Sequence, residues 1–225
     1  MSSSRIASSV YLLTLASLLQ TAFGAEPLFH TCSNTGNFSA GSPYEANLKQ
    51  LTEYLSNQGQ NPNQAYGLAL CRGDVRSADC KTCVVEAGKE IRKSCPYNKG
   101  AIIWYDYCLL KYSNMEFFGK IDNQIAIYLW NPNNVPESYG RQAKELLSAL
   151  ATEASVYPKS FYASGEMEVY GAVKIYGAQD LSSSDCKKCL DGIIEQLPSC
   201  CDKKGGRVIG PSCNFRFERY RFVNT

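Results

Sequence analysis

The chain has 225 residues, 23 Lys and Arg against 21 Asp and Glu, and a formal net charge of +2, a balance that excludes the basic stripe of a nucleic-acid binder. One histidine and 11 cysteines, with neither a P-loop nor a dinucleotide fingerprint, argue against nucleotide or cofactor chemistry and for a disulfide framework. A length of this order suits one large domain or two of about 100 residues.

The first 24 residues read as a secretory signal peptide. Arg5 supplies the positive charge, Val10 to Leu19 the apolar run, and Ala22-Phe23-Gly24 the small residues before a cut ahead of Ala25. The run is too short to cross about 30 Å of hydrocarbon comfortably. No later segment is long and apolar enough to span a bilayer, so a soluble, extracellular protein of 201 residues is expected, carrying all 11 cysteines.

Ala25 to Gly41 is a lead-in with Cys32 and the sequon Asn37-Phe38-Ser39, which marks Asn37 for N-glycosylation. A helix starts at Ser42 or Pro43, with Ala46, Leu48, Leu51, Tyr54 and Leu55 at helical spacing. Ala65 to Cys71 reads as a strand, and Arg72-Gly73-Asp74 as a turn rather than an adhesion signal. Ser77 is expected to cap a second helix, with Asp79 at its positive end and Cys80, Cys83, Val84, Ala87 and Ile91 on one face. Ala101 to Tyr112 and Ile125 to Trp130 read as strands. The run from Asn131 to Pro136 marks a boundary.

The order then repeats. Ala143, Leu146, Leu147, Leu150 and Ala151 make a helix. Phe161 to Ser164 and Glu168 to Tyr176 read as strands about a turn at Gly165, and Ser183 caps a helix carrying Cys186, Cys189, Leu190, Ile193 and Ile194, closed by Pro198. Arg207 to Ile209 and Cys213 to Phe222 are the last strands; Phe215 and Phe217 alternate with Arg216 and Glu218 as in a half-buried strand.

The cysteines repeat with the elements. Ser77-Ala78-Asp79-Cys80-Lys81-Thr82-Cys83 is followed by Cys95 and Cys108, and Ser183-Ser184-Asp185-Cys186-Lys187-Lys188-Cys189 by Cys200-Cys201 and Cys213. Cysteines three apart on a helix share a face but point to different neighbours, and a bridge between them would be strained. Each is expected to staple its helix to something else. Zinc would need four thiolates, or three and His30, which an oxidising compartment disfavours. Neither CxxC has the flanking Trp and Pro of a thioredoxin-like redox site. The fold class is therefore α+β: two tandem small domains, each an antiparallel sheet of about five strands with two helices on one face, stapled by disulfides. The expected division is 1–24 signal peptide, 25–131 first domain, 132–137 linker and 138–225 second domain.

The spacing Cys71-x8-Cys80-x2-Cys83, with Cys32 ahead and Cys95 and Cys108 behind, resembles the plant ginkbilobin-type, or stress-antifungal, module. Tyr66-Gly67-Leu68, Cys108 to Ser113, Phe161 to Gly165, Cys200 to Val208 and Pro211-Ser212-Cys213 look like that family too. Two such modules behind a signal peptide resemble a plant cysteine-rich repeat secretory protein. The resemblance implies bridges Cys32–Cys95, Cys71–Cys80, Cys83–Cys108 and Cys189–Cys213. The chain departs from the pattern at Gly177, where a cysteine should stand nine residues before Cys186. Cys186 is then the natural orphan, unless it recruits Cys200 or Cys201 or joins two chains.

In the founding antifungal member a mannose site uses an Asn, an Arg and a Glu. The corresponding first-module residues are Ser33, Ile102 and Ser113, so that module has none of the three. In the second, Arg207 and Glu218 match. They are candidates for a carbohydrate site, to be weighed against a structural cross-strand pair.

Two functions follow as expectations. One is a secreted, apoplastic binding protein of plant stress or defence that engages a glycan, a cell-wall or a microbial surface, with antifungal action. The other is an extracellular interaction module that partners receptor-like kinase ectodomains of the same architecture. No enzyme is expected, since a single histidine in the lead-in supports no Ser/His/Asp set, and neither a cofactor nor a metal is implied.

Overall fold

The computed structural model describes residues 26–54, 64–122, 124, 127–156, 162–166, 170–175, 182–197 and 203–223. The signal-peptide reading, Gly177, Pro198, Cys200 and Cys201 lie outside the described residues.

The chain runs β1 (Phe29–Cys32), α1 (Pro43–Tyr54), β2 (Tyr66–Cys71), α2 (Ser77–Ser94), β3 (Gly100–Trp104), β4 (Cys108–Ser113), β5 (Ile127–Trp130), α3 (Glu137–Val156), β6 (Tyr162–Glu166), β7 (Tyr170–Ile175), α4 (Ser183–Ile194), β8 (Gly205–Ile209) and β9 (Cys213–Glu218). Two antiparallel sheets form among the described residues, a four-stranded one in the order β1-β3-β4-β2 and a five-stranded one in the order β5-β8-β9-β7-β6.

Several elements differ from the sequence reading. Ala101 to Tyr112, read as one strand, is the hairpin β3–β4. Its tip is Tyr105-Asp106-Tyr107, closed by Tyr105 N–H donating to the Cys108 carbonyl at 2.8 Å. The strand near Ile125 to Trp130, placed ahead of the boundary, hydrogen-bonds to β8 and so belongs to the second sheet. The reason is the repeat: β5 stands to β8 as β1 stands to β3, the edge strand with which each module begins. Gly165 lies within β6, opposite Gly171, rather than at a turn. The N-cap of α2 is Arg76, which makes no side-chain cap but pairs with Asp79 at 2.9 Å. That of α4 is Ser182, whose hydroxyl accepts from Asp185 N–H.

Alternation along the strands gives each sheet two faces. In the first module Ala101, Ile103, Cys108, Leu110 and Tyr112 point toward α1 and α2 and form one core with Leu48, Ala87 and Ile91. In the second, Val208, Cys213, Phe215 and Phe217 pack under α3 and α4 with Leu147, Leu150, Leu190 and Ile193. Gly67 and Gly171 sit at matching places where a side chain would collide with Leu51 of α1 or Leu146 of α3, so the first helix of each module can lie close on its sheet.

Among the described residues four disulfides fasten the helices to the strands: Cys32–Cys95, Cys71–Cys80, Cys83–Cys108 and Cys189–Cys213, with Cα separations of 5.5, 5.7, 6.0 and 6.2 Å. The cysteines of the first CxxC thus go to two different strands, which leaves neither for a metal. Cys186 is a free, buried thiol.

The sheet faces turned away from the helices meet each other. Ile102, Trp104 and Leu109 of the first module and Ile209 of the second form a third core, flanked by Leu28, Phe29, Leu68, Leu70, Ile127 and Leu129. Trp104 is 0 % exposed and stacks on Phe29, with ring centroids 6.0 Å apart. The molecule is therefore layered helices, sheet, sheet, helices. Burying each large apolar side chain along this seam contributes up to about 1.5–3 kcal/mol.

Candidate functional site

The seam is apolar around Ile102, Trp104, Leu109 and Ile209 and charged around the tip of the β3–β4 hairpin, and there the candidate residues collect. The tip of the β3–β4 hairpin presents Asp106 of the first module. Arg207 on β8 donates to it through Nη1 at 2.7 Å, and Arg216 on β9 through Nη1 at 3.2 Å, both to Oδ1. Arg72, just past β2, donates Nη1 to Oδ2 at 3.0 Å. One carboxylate thus receives three guanidiniums, two of them from the other module. Burial alone would raise the Asp106 pKa; the three arginines, Arg207 foremost, outweigh it and hold the carboxyl below its usual range.

The remaining acceptors complete the network. Arg72 forms a two-pronged pair with Asp74 at 2.6 and 3.0 Å. The Arg-Gly-Asp triplet is therefore folded on itself, its arginine side chain only 9 % exposed. Arg216 Nε donates to Glu218 Oε1 at 3.2 Å. Burial raises the Glu218 pKa, and the neighbouring Arg216 only partly offsets that. Glu218 has room because it lies across from Gly205 on β8, where a Cβ would strike its carboxylate.

The two residues singled out as a sugar pair do not pair with each other. Arg207 stands opposite Arg216 in the register, and Glu218 opposite Gly205. The cross-strand Arg207–Glu218 alternative therefore does not form. Arg207 turns across the seam to Asp106 with its side chain 10 % exposed, and its Nε–H is buried without a partner among the described residues. In the first module Ile102, at the matching place, is part of the seam core. Ser33 hydrogen-bonds to Thr35, which in turn donates to Asn114, so hydroxyls and an amide occupy that module's rim.

Asp106 and Arg72 could not be singled out from motif spacing. One signal was present: Ala101 to Trp104 is an unbroken apolar run, and a strand buried on both faces reads that way. Asn37 is exposed and forms an isolated bridge with Asn98. His30 is exposed on edge strand β1 beside Phe29. No helix among the described residues is long and apolar enough to cross a membrane.

The family model described as salt stress response/antifungal matches residues 31–115 and 130–220. The chain is 48 % identical over 234 residues to an antimicrobial ginkbilobin-2-like protein of Castanea crenata, covering 96 % of this chain and 97 % of that one. It is 44 % identical over 240 residues to cysteine-rich repeat secretory protein 38 of Arabidopsis thaliana, covering 98 % and 95 %. Among solved structures it is similar to the tandem DUF26 ectodomain of the Arabidopsis thaliana cysteine-rich receptor-like protein PDLP5. That match has a TM-score of 0.71 at 25 % identity and covers 89 % of this chain and all of that one. The corresponding ectodomain of PDLP8 matches in fold with a TM-score of 0.73. With two matched modules, full-length relatives and the same tandem layering, the chain belongs to the salt stress response/antifungal family of cysteine-rich repeat proteins.

Proposed function

We propose that this chain is a secreted, non-catalytic protein of plant stress and defence. Its docked modules act as one scaffold that engages a protein partner, namely a receptor ectodomain of the same tandem architecture. The observation that carries this reading is the fate of the sugar-site positions. Ile102 is inside the seam core and Arg207 is spent on Asp106 across it. A sugar hydroxyl needs free, convergent donors and acceptors, and those positions supply cohesion between modules instead. What remains outward is a broad surface carried by rigid elements, suited to a macromolecule. The ectodomain fold of the structural relatives supports the same assignment. N-glycosylation at exposed Asn37 and an apoplastic location go with it.

Antimicrobial action is the second reading, favoured by the 48 % identical relative bearing that name. The test is a capture experiment with tandem receptor ectodomains run beside a glycan array, using the secreted, disulfide-bonded protein. The expected result is a captured ectodomain and no mannose signal. A mannose signal abolished by Arg207→Ala or Glu218→Ala would overturn the reading and restore the carbohydrate one. Growth inhibition of a fungus without ectodomain capture would favour the antimicrobial one.

A further inference from the structure

Beyond β9 the chain turns back over the seam, and its last described residues are held like a ligand. Tyr220 Oη accepts from Arg216 Nη2 at 2.9 Å. Glu218 Oε1 in turn accepts from Nε of the same guanidinium at 3.2 Å, which fixes the donor that meets the phenol. Phe222 lies over the Arg216 guanidinium, 4.3 Å from carbon to ring centroid. The Phe222 carbonyl accepts from Arg72 Nη2 of the first module at 3.2 Å. Hydroxyl and ring are thus both met by Arg216 and the backbone carbonyl by Arg72, one arginine from each module.

The repeat separates what is scaffold from what is specific. At the matching place after β4, Phe117 lies 4.4 Å from Lys111 Nζ, so an aromatic cap over the central cation belongs to the module design. Met115 and Ser113 stand there in place of Tyr220 and Glu218, so the phenol, and the carboxylate that holds its arginine donor, occur only in the second module. Tyr220 is 55 % exposed while the side chains of Arg216 and Glu218 beneath it are 19 % and 13 % exposed. The occupant is peripheral and the receptor groups are sunk.

We infer that Arg72 and Arg216, the latter held in place by Glu218, form a peptide-binding clamp for a Tyr-x-Phe segment, which the chain's own Tyr220-Arg221-Phe222 fills in cis and a partner's segment of the same chemistry fills in trans. This deepens the protein-partner reading and rests on it for the identity of the trans ligand, while the clamp itself stands on the contacts above. In cis the tail competes at the high effective concentration of a short tether, so an external peptide meets a closed site until the tail is displaced.

The test uses the full secreted chain, a form ending at Arg219, and a synthetic Arg-Tyr-Arg-Phe-Val peptide as probe, with binding read by calorimetry or fluorescence polarisation. The shortened protein should bind the peptide saturably, and the full chain at least tenfold more weakly. Replacing the peptide's tyrosine by phenylalanine, or introducing Arg216→Lys in the shortened protein, should reduce affinity about tenfold, the loss of one charge-assisted hydrogen bond. If the shortened form does not fold, the full chain carrying Tyr220→Ala with Phe222→Ala takes its place. A folded open form that ignores the peptide overturns the clamp, as does binding indifferent to both changes. Binding of methyl mannoside but not of peptide overturns it in favour of a polyol site. Failure to capture a receptor ectodomain, with the peptide result intact, would instead remove only the proposed partner.

Discussion

The two modules share one layout but present different faces to the seam. Along β3 and β4 the first module offers Ile102, Trp104, Leu109 and Lys111; at the matching places along β8 and β9 the second offers Arg207, Ile209, Asn214 and Arg216. Duplicated faces that both stayed apolar would bind either copy of themselves, and two charged faces would repel. Apolar against partly cationic, with Asp106 supplied from the first module's hairpin tip, defines one partner and one register. The cysteines diverge as well: the first module has three bridges, the second one among the described residues, with Cys186 left free. The second module leans more on packing and on its neighbour.

The sharpest way to break this asymmetry is Trp104→Ala, which removes the largest side chain of the seam. It should cost about 3–5 kcal/mol in chemical denaturation and destabilise both modules, although the residue belongs to one. A loss confined to the first module would mean that the seam does not couple them. Next, replacing Cys189 and Cys213 together by alanine should cost about 3 kcal/mol, from a loop of 24 residues. The matched change at Cys83 and Cys108 should be better tolerated, because two other bridges remain in that module.

Asp106→Ala should cost about 2–3 kcal/mol. It strands the well-buried Arg207 and takes one partner from Arg72 and Arg216, which keep others, but Asp106 itself is 34 % exposed, which softens the penalty for a fully buried pair. Its pH signature has a fixed sign. The folded-state pKa of Asp106 lies below the ordinary 3.8, so its contribution is present above that value and is lost as pH falls through the folded one. Glu218, raised above 4.5, works the other way: its ionisation costs stability as pH rises from 4.5 through its folded value. Urea midpoints measured from pH 2.5 to 6 should therefore show an acid-side fall that Asp106→Asn flattens. The smallest effect expected is that of Arg207→Ile, which copies the first module's residue. An under-satisfied buried guanidinium is exchanged for apolar volume, and stability should move by no more than about 1 kcal/mol in either direction. A larger loss would show that Arg207 carries more of the clasp than its single hydrogen bond implies.

Local signals made the helices and most strands readable: the spacing of Leu48 and Leu51, the run of Ala143 to Ala151, and the alternation about Phe215. The hairpin tip was hidden because Tyr105 and Tyr107 are as strand-like as their neighbours, and only the Tyr105 to Cys108 backbone bond reveals the turn. The membership of β5 in the second sheet is not legible locally, because loop-forming residues such as Asn131 and Pro132 follow it and its pairing with β8 is long-range. For the site, position counting found Arg207 and Glu218 but not their partners. Asp106 lies 101 residues before Arg207 and reaches it only through the packing of one sheet on another.

That Trp104 and Ile209 lie beneath opposite modules has a consequence for how the molecule comes apart. The first half made alone would carry a greasy plate into water and tend to stick to whatever it met, and the second would bare Ile209, Ile127 and Leu129 beside arginines deprived of Asp106. The chain is therefore not two beads on a string: heat or denaturant should produce a single cooperative transition, and trimming to one repeat should yield an aggregating fragment rather than a smaller working protein.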